Sequence, residues 1–156
     1  MRDIWEGCSE MIEQIDLMAA PPHDATCLSA ALRTKRPMVS GRVIHGNKLG
    51  RELGIPTANL AINPGAAPPF GIYAVTGFLA GQHIPGVASW GTRPHFDDGA
   101  PLLEVHLFDF RRNIYGHMLG VRFDAFLRPE ATFAHIEDFM AQVQRDIANA
   151  RRIQQI

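Results

Sequence analysis

Cysteine is scarce in this chain: two in 156 residues, Cys8 and Cys27. That is too few for a disulfide framework, and the pair lacks the spacing of a zinc site, so a reducing compartment is expected. No charge of one sign dominates either. Fifteen Lys and Arg stand against sixteen Asp and Glu, a formal net charge of −1, which rules out the global field that draws a protein to nucleic acid or to an anionic membrane. No apolar run approaches the roughly 18 residues of a membrane span. The N-terminus, Met1-Arg2-Asp3-Ile4-Trp5-Glu6, carries acids where a signal peptide needs positive charge followed by an apolar stretch. Internal repeats and low-complexity tracts are missing too. What is present is ordinary globular material, 46% apolar and 20% charged, enough for one core in one compact cytoplasmic domain with no nucleic-acid or membrane partner.

The two ends of the chain read differently. In residues 1–36, Ile4, Trp5, Cys8, Met11, Ile12, Ile15 and Met18 recur at helical spacing until Pro21-Pro22 breaks the pattern. Leu28 to Leu32 predict another helical turn, and nothing in this leader carries chemistry. From Pro37 most of the 14 Gly and 11 Pro divide short runs rich in Val, Ile, Leu, Phe and Tyr, the pattern of an all-β sandwich or barrel. Strands are expected near Met38–Ile44, Ile72–Leu79, Gln82–Ser89, Leu102–Phe110 and Met118–Phe126, with weaker extended structure over Thr57–Ala61 and turns at Gly81 and Gly116. Phe133, Ile136, Phe139, Met140, Val143 and Ile147 then repeat with a period near 3.6. Glu137-Asp138 lie early and Arg151-Arg152 late, predicting a terminal amphipathic helix that closes one side of the barrel.

Three segments bear on chemistry. Gly41-Arg42-Val43-Ile44-His45-Gly46-Asn47-Lys48 falls short of a Walker A loop, because Lys48 comes one place late and no Ser or Thr follows it. The same region supplies Gly46, Gly50 and Gly54, with Lys48 and Arg51 between them. Glycines admit phosphate oxygens close to backbone amides and the cations neutralise them, yet three glycines in nine residues also describe a plain surface turn. Next, Pro56 precedes Thr57 and Asn59. In an extended segment those two side chains share a face, so both oxygens can meet one hard cation; a turn in which they bond their own backbone is the commoner arrangement. Finally, Leu102 to Phe110 places Glu104, His106, Phe108 and Phe110 on one face. Glu104 among apolar neighbours is a candidate general base or metal ligand, against the alternative of a plain solvated face. His95, His106 and His117 lack the spacing of a zinc site. Trp90, Tyr73 and Tyr115 have no interleaved basic residues and read as barrel packing.

Taken in order, these segments resemble riboflavin kinase, including the kinase domain of the bacterial bifunctional riboflavin kinase/FMN adenylyltransferase. The resemblance covers roughly residues 37 to 152. It rests on Gly41-Arg-Val-Ile-His-Gly46, Leu53-Gly-Ile-Pro-Thr-Ala-Asn59, Gly71-Ile-Tyr73, Gly86-Val-Ala88, Gly91-Thr-Arg-Pro94 with Phe96, Leu103-Glu-Val-His-Leu-Phe-Asp-Phe110, Tyr115-Gly116 and Leu127-Arg-Pro-Glu130. It implies a six-stranded Greek-key barrel and transfer of the ATP γ-phosphoryl group to the terminal ribityl hydroxyl of riboflavin, giving FMN and ADP with Mg²⁺. On that likeness Thr57 and Asn59 are the magnesium and phosphate contacts, and Gly46, Lys48, Gly50, Arg51, Gly54 and Pro56 belong to the nucleotide loop. Glu104 is the base that receives the hydroxyl proton, and Arg128 is a flap residue near flavin and phosphates. Phe108, Phe110, Tyr115 and Phe133 are expected to line the flavin pocket.

Two departures accompany the likeness. Many members carry Gly-x-Gly-x-Gly where this chain has Gly46-Asn47-Lys48-Leu49-Gly50, and positive φ is costly for Lys48. The 36-residue leader has neither the length nor the nucleotide motif of the adenylyltransferase domain, so FAD synthesis is not expected. The expectation is therefore a monofunctional riboflavin kinase or an isolated kinase domain, acting as a monomer, whose partners are riboflavin/FMN and ATP/ADP. Its rivals are a non-catalytic flavin or nucleotide module on the same barrel, and a split-barrel flavoprotein holding FMN as a redox cofactor.

Overall fold

The computed structural model describes residues 36–46, 49–92 and 101–156. The leader, Asn47, Lys48 and residues 93–100, with His95 and Phe96, lie outside that set, as do both cysteines. Six strands, all antiparallel to their neighbours, close into a barrel: β1 (Met38–Ile44), β2 (Ala58–Leu60), β3 (Gly71–Leu79), β4 (Gln82–Thr92), β5 (Pro101–Leu107) and β6 (Met118–Arg128). A short helical turn, α1 (Leu49–Glu52), precedes β2, and a long helix, α2 (Ile136–Gln154), ends the chain. The order around the barrel is β1-β2-β5-β4-β3-β6. β6 therefore passes the β3–β5 meander and pairs with β3, while β2 pairs with β5.

Alternation along each strand decides which side chains fill the interior. In β1 every second residue is buried, Val39, Gly41 and Val43. The interior is completed by Leu60, Tyr73, Val75, Ala88, Trp90, Leu103, Val105, Leu107, Leu119, Val121 and Phe123. The two polar atoms this core contains are satisfied at one end of the barrel, where the Tyr73 hydroxyl donates to the Pro69 carbonyl (2.5 Å) and the Trp90 indole N–H to that of Pro68 (2.9 Å). Ala80 and Gly81, both at positive φ, make the tight β3–β4 hairpin.

Several boundaries differ from the sequence reading: β4 runs on to Thr92 rather than ending at Ser89, and three others have a tertiary reason. β5 stops at Leu107, where α2 buries Phe108 and Asp109 takes a positive φ of 56°, its exposed carboxylate beside Arg151 of α2 (3.0 Å). Phe108, past the strand end, keeps to the outer face it was expected to share with Glu104 and His106, edge-on to His106 at 5.8 Å and buried with Ala74, Val87 and Ala150 between barrel and helix, whereas Phe110 turns away and packs against the barrel core. β6 runs on to Arg128 through two register shifts, bulges that let one long strand bend over the rim. Phe133 precedes α2, and Ile136 is half exposed. The buried stripe of the helix instead centres on Asp146 and Ala150. The helix covers the outer face of β3, β4 and β6 through Ile72, Ala125, Leu127 and Ile147. Its acidic first turn and basic last turn complement the helix dipole, as the sequence predicts. Among the described residues no helix is long and apolar enough to cross a membrane.

Candidate functional site

With Ala58 and Leu60 committed to the interior, the side chain between them, Asn59, points outward. The same alternation turns Glu104 and His106 of β5 outward, since Leu103, Val105 and Leu107 point in. Pairing then does what sequence separation hides: Asn59 lies directly opposite Glu104, and Glu104 in turn opposite Ser89 of β4. Directly opposed residues have Cβ atoms about 5 Å apart. Thr57, two places before Asn59, continues the same outer face. His106 fixes it there through a 2.8 Å hydrogen bond between its Nδ1 and the Pro56 carbonyl.

The β1–β2 connection folds over this pair. Gly54 takes a positive φ of 77°, and the Ile55 amide donates back to the Gly50 carbonyl (2.6 Å). Gly46 packs so closely on Asn59 that a Cβ there would collide with the side-chain amide, and a Cβ on Gly50 would meet the Ile55 carbonyl at 2.5 Å. Glycine is thus required at both positions by close approach. Arg51 and Tyr115 meet beside this loop, with the guanidinium 3.5 Å from the phenol oxygen and His45 stacked on the Tyr115 ring at 3.9 Å.

Asn59 is only 6% exposed, and its Oδ1 has no hydrogen-bond partner among the described residues. A buried acceptor left open is costly. Among the described residues neither Thr57 nor Asn59 bonds its own backbone through its side chain, and Asn59 lies in a paired strand rather than a turn. A hard cation takes oxygen donors of this kind, and the amide oxygen, the Thr57 hydroxyl and the glycine-lined space above them fit one.

The remaining expected residues are spread over the molecule. Along the outer surface the paired row continues from Glu104 through Ser89 and Ile72 to Arg128, three strand spacings or about 14 Å from the carboxylate. There the Arg128 guanidinium forks onto Asp146 (2.8–3.1 Å), a carboxylate 4% exposed that also accepts from Gln142 (2.9 Å). Phe133 lies near by, edge-on to Phe139. Phe110 packs against the barrel core with Arg112 over its ring, Tyr115 stands by the glycine loop, and Phe108 is under α2. The structure therefore joins Gly46, Gly50, Arg51, Gly54, Pro56, Thr57, Asn59 and Glu104 into one locus, sets Tyr115 at its edge, and places Arg128 and Phe133 at the far end of the same face.

Sequence reasoning passed over Ser89, Glu130 and Asp146. Glu130 sits at Gly91, where a Cβ would collide with both carboxylate oxygens. Burial against this strand pushes its pKa above the usual carboxylate value, and neighbouring Arg128 opposes the rise. The motif Leu127-Arg128-Pro129-Glu130 flagged its neighbourhood, whereas Asp146 had no signal beyond interrupting an apolar stripe.

The family model for riboflavin kinase (flavokinase) matches residues 34–154. The bifunctional riboflavin kinase/FMN adenylyltransferase of Haemophilus influenzae is 40% identical over 144 residues, which cover 92% of this chain and 47% of that protein. The chain thus spans about half the length of this curated relative. A solved structure from Streptococcus pneumoniae described as a macrolide-efflux protein superposes with a TM-score of 0.68 at 31% identity, over 77% of this chain and 40% of that one. The crystal structure of riboflavin kinase from Trypanosoma brucei superposes at 0.54 with 19% identity, over 76% of this chain and 79% of that one, a likeness of fold.

Proposed function

The chain belongs to the riboflavin kinase family, and from that premise we propose that it transfers the γ-phosphoryl group of ATP to the terminal ribityl hydroxyl of riboflavin, releasing FMN and ADP. The observation that carries the reading is the direct pairing of Asn59 with Glu104 beneath a glycine loop. Phosphoryl transfer is mostly positioning and charge neutralisation, so it needs a cation site, amide donors and one oriented base within reach of a single phosphate. The row from Asn59 to Arg128 provides a floor along which a flat ring and its polyol chain extend away from that centre.

Glu104 accepts the proton of the ribityl hydroxyl as its oxygen bonds to the γ-phosphorus, and the bond from that phosphorus to the β,γ-bridging oxygen breaks to leave ADP. His106 holds the Pro56 carbonyl and hence the approach of Thr57. Thr57 and Asn59 would hold Mg²⁺, which when bound neutralises phosphate charge. Arg51 stands where it meets phosphate oxygens, and Gly46 and Gly50 let the loop close down on Asn59. Tyr115 borders the nucleotide side, while Phe133 and Arg128 bound the flavin side. Residues 37–156 form the catalytic unit in this reading, a cytoplasmic monomer.

The test is FMN formation from riboflavin, ATP and Mg²⁺ by the purified chain and by Glu104→Gln. A general base contributes about 10² to 10⁴ in rate, roughly 3 to 5 kcal/mol. The variant should therefore fold, bind flavin and lose at least about a hundredfold in turnover. Near-full activity of the variant removes Glu104 from this role. A wild-type chain that binds flavin without making FMN replaces the kinase by a binding module.

A further inference from the structure

The second carboxylate on this face has no part in the chemistry above. In β4 the side chains of Ala88 and Trp90 fill the barrel, so Ser89 and Gly91 face outward, and Ser89 is level with Glu104. Glu130 reaches back from the segment after β6 and lays its carboxylate on Gly91, occupying the space a Cβ would take. Gly91 is opposite Leu102, two residues along β5 from Glu104. With about 3.4 Å per residue and about 4.8 Å between strands, Gly91 is about 8 Å from Glu104 on the same surface.

No hydrogen-bond donor reaches the Glu130 carboxylate among the described residues, and the guanidinium of Arg128 is turned to Asp146. An acceptor thus lies on the same face as the proposed base, against a strand that has glycine at the point of contact. A five-carbon polyol whose terminal hydroxyl lies at Glu104 extends over a comparable distance and carries hydroxyl donors along its length. We propose that Glu130 is a specificity-determining residue that accepts hydrogen bonds from the ribityl hydroxyls, so that the site selects a flavin by its polyol chain as well as by its ring. This rests on the kinase reading. Hydroxyl-to-carboxylate bonds are short and charge-assisted, and losing one costs roughly tenfold or more in affinity.

The experiment compares riboflavin with lumiflavin, which has the same ring with a methyl group in place of the ribityl chain. Binding is followed by flavin fluorescence for the wild type, Glu130→Gln and Glu130→Ala, with thermal melting as the check on folding. The expected result is about tenfold or greater weakening for riboflavin in both variants, and less than twofold for lumiflavin. Gly91→Ala, which displaces the carboxylate, should weaken riboflavin similarly and add little to Glu130→Ala. Equal weakening of both flavins overturns the proposal in favour of a ring contact or a structural role, and unchanged riboflavin affinity overturns it outright. The wild type reports separately on the parent reading: riboflavin turned over to FMN while the variants show no selective loss sinks only the polyol assignment.

Discussion

Replacing Gly46 with alanine adds one methyl group at the most crowded point of the candidate site. That Cβ would lie 2.8 Å from Asn59 Cγ and 3.2 Å from its Oδ1, and closer still to Nδ2, well inside van der Waals contact. The backbone of Asn59 cannot retreat, because β2 is paired on both sides, to Ile44 of β1 and to Glu104 of β5. The side chain has to turn instead. A shift of about 30° from a staggered rotamer costs about 0.5 to 1.5 kcal/mol, and overpacking of a closed site about 1 to 3 kcal/mol, so Gly46→Ala should lose about 1 to 3 kcal/mol in urea unfolding. The functional loss should be larger, since a displacement near 1 Å at a positioning group costs about a hundredfold in rate. Calorimetric titration with ADP and Mg²⁺, together with the KM for ATP, should show weakening by tenfold or more while riboflavin affinity stays within about twofold. In a double-mutant cycle, Gly46→Ala should add almost nothing to Asn59→Ala, because the first change acts through the second residue. Unaltered nucleotide binding in Gly46→Ala, or full additivity with Asn59→Ala, would refute the reasoning.

Other consequences concern what holds the site in place. Removing the Asp146 carboxylate strands the half-buried Arg128 guanidinium, so Asp146→Ala should lose about 3 to 5 kcal/mol in urea unfolding. Asp146→Asn, which keeps an acceptor, should lose less, and equal small losses would show that the pair does not tie α2 to β6. Burial raises the Tyr73 pKa far above its ordinary value of 10.0, so above about pH 10 the unfolded chain releases a proton that the folded chain retains. Stability from this group is complete below that pH and falls by about 1.4 kcal/mol per unit as pH rises further. Tyr73→Phe should be about 1 kcal/mol less stable near neutrality, having lost the bond to the Pro69 carbonyl. It should also show a shallower alkaline decline, and parallel pH profiles of the two proteins would exclude Tyr73 as the source.

Much of the architecture was written locally. Strict alternation in β1, the Ala80-Gly81 turn and the charge-graded terminal helix each follow from neighbours a few residues apart, through strand pleating, permitted φ values and the helix dipole. That Thr57 and Asn59 share one face, and Glu104 and His106 another, followed the same way, but that these faces are the outer ones needed the closed barrel. Where strands end was not legible, because β5 ends where Phe108 is buried under α2 against Ala150, 42 residues further along the chain. Nor was the place of Asp146, whose burial depends on an arginine arriving from another strand. The sequence by itself determined which residues share a strand face and which chemical types they bring. Only closure of the sheet, with β2 set against β5, decided that an asparagine and a glutamate 45 positions apart in the numbering stand side by side, because register is fixed by the packing of all the inward residues at once.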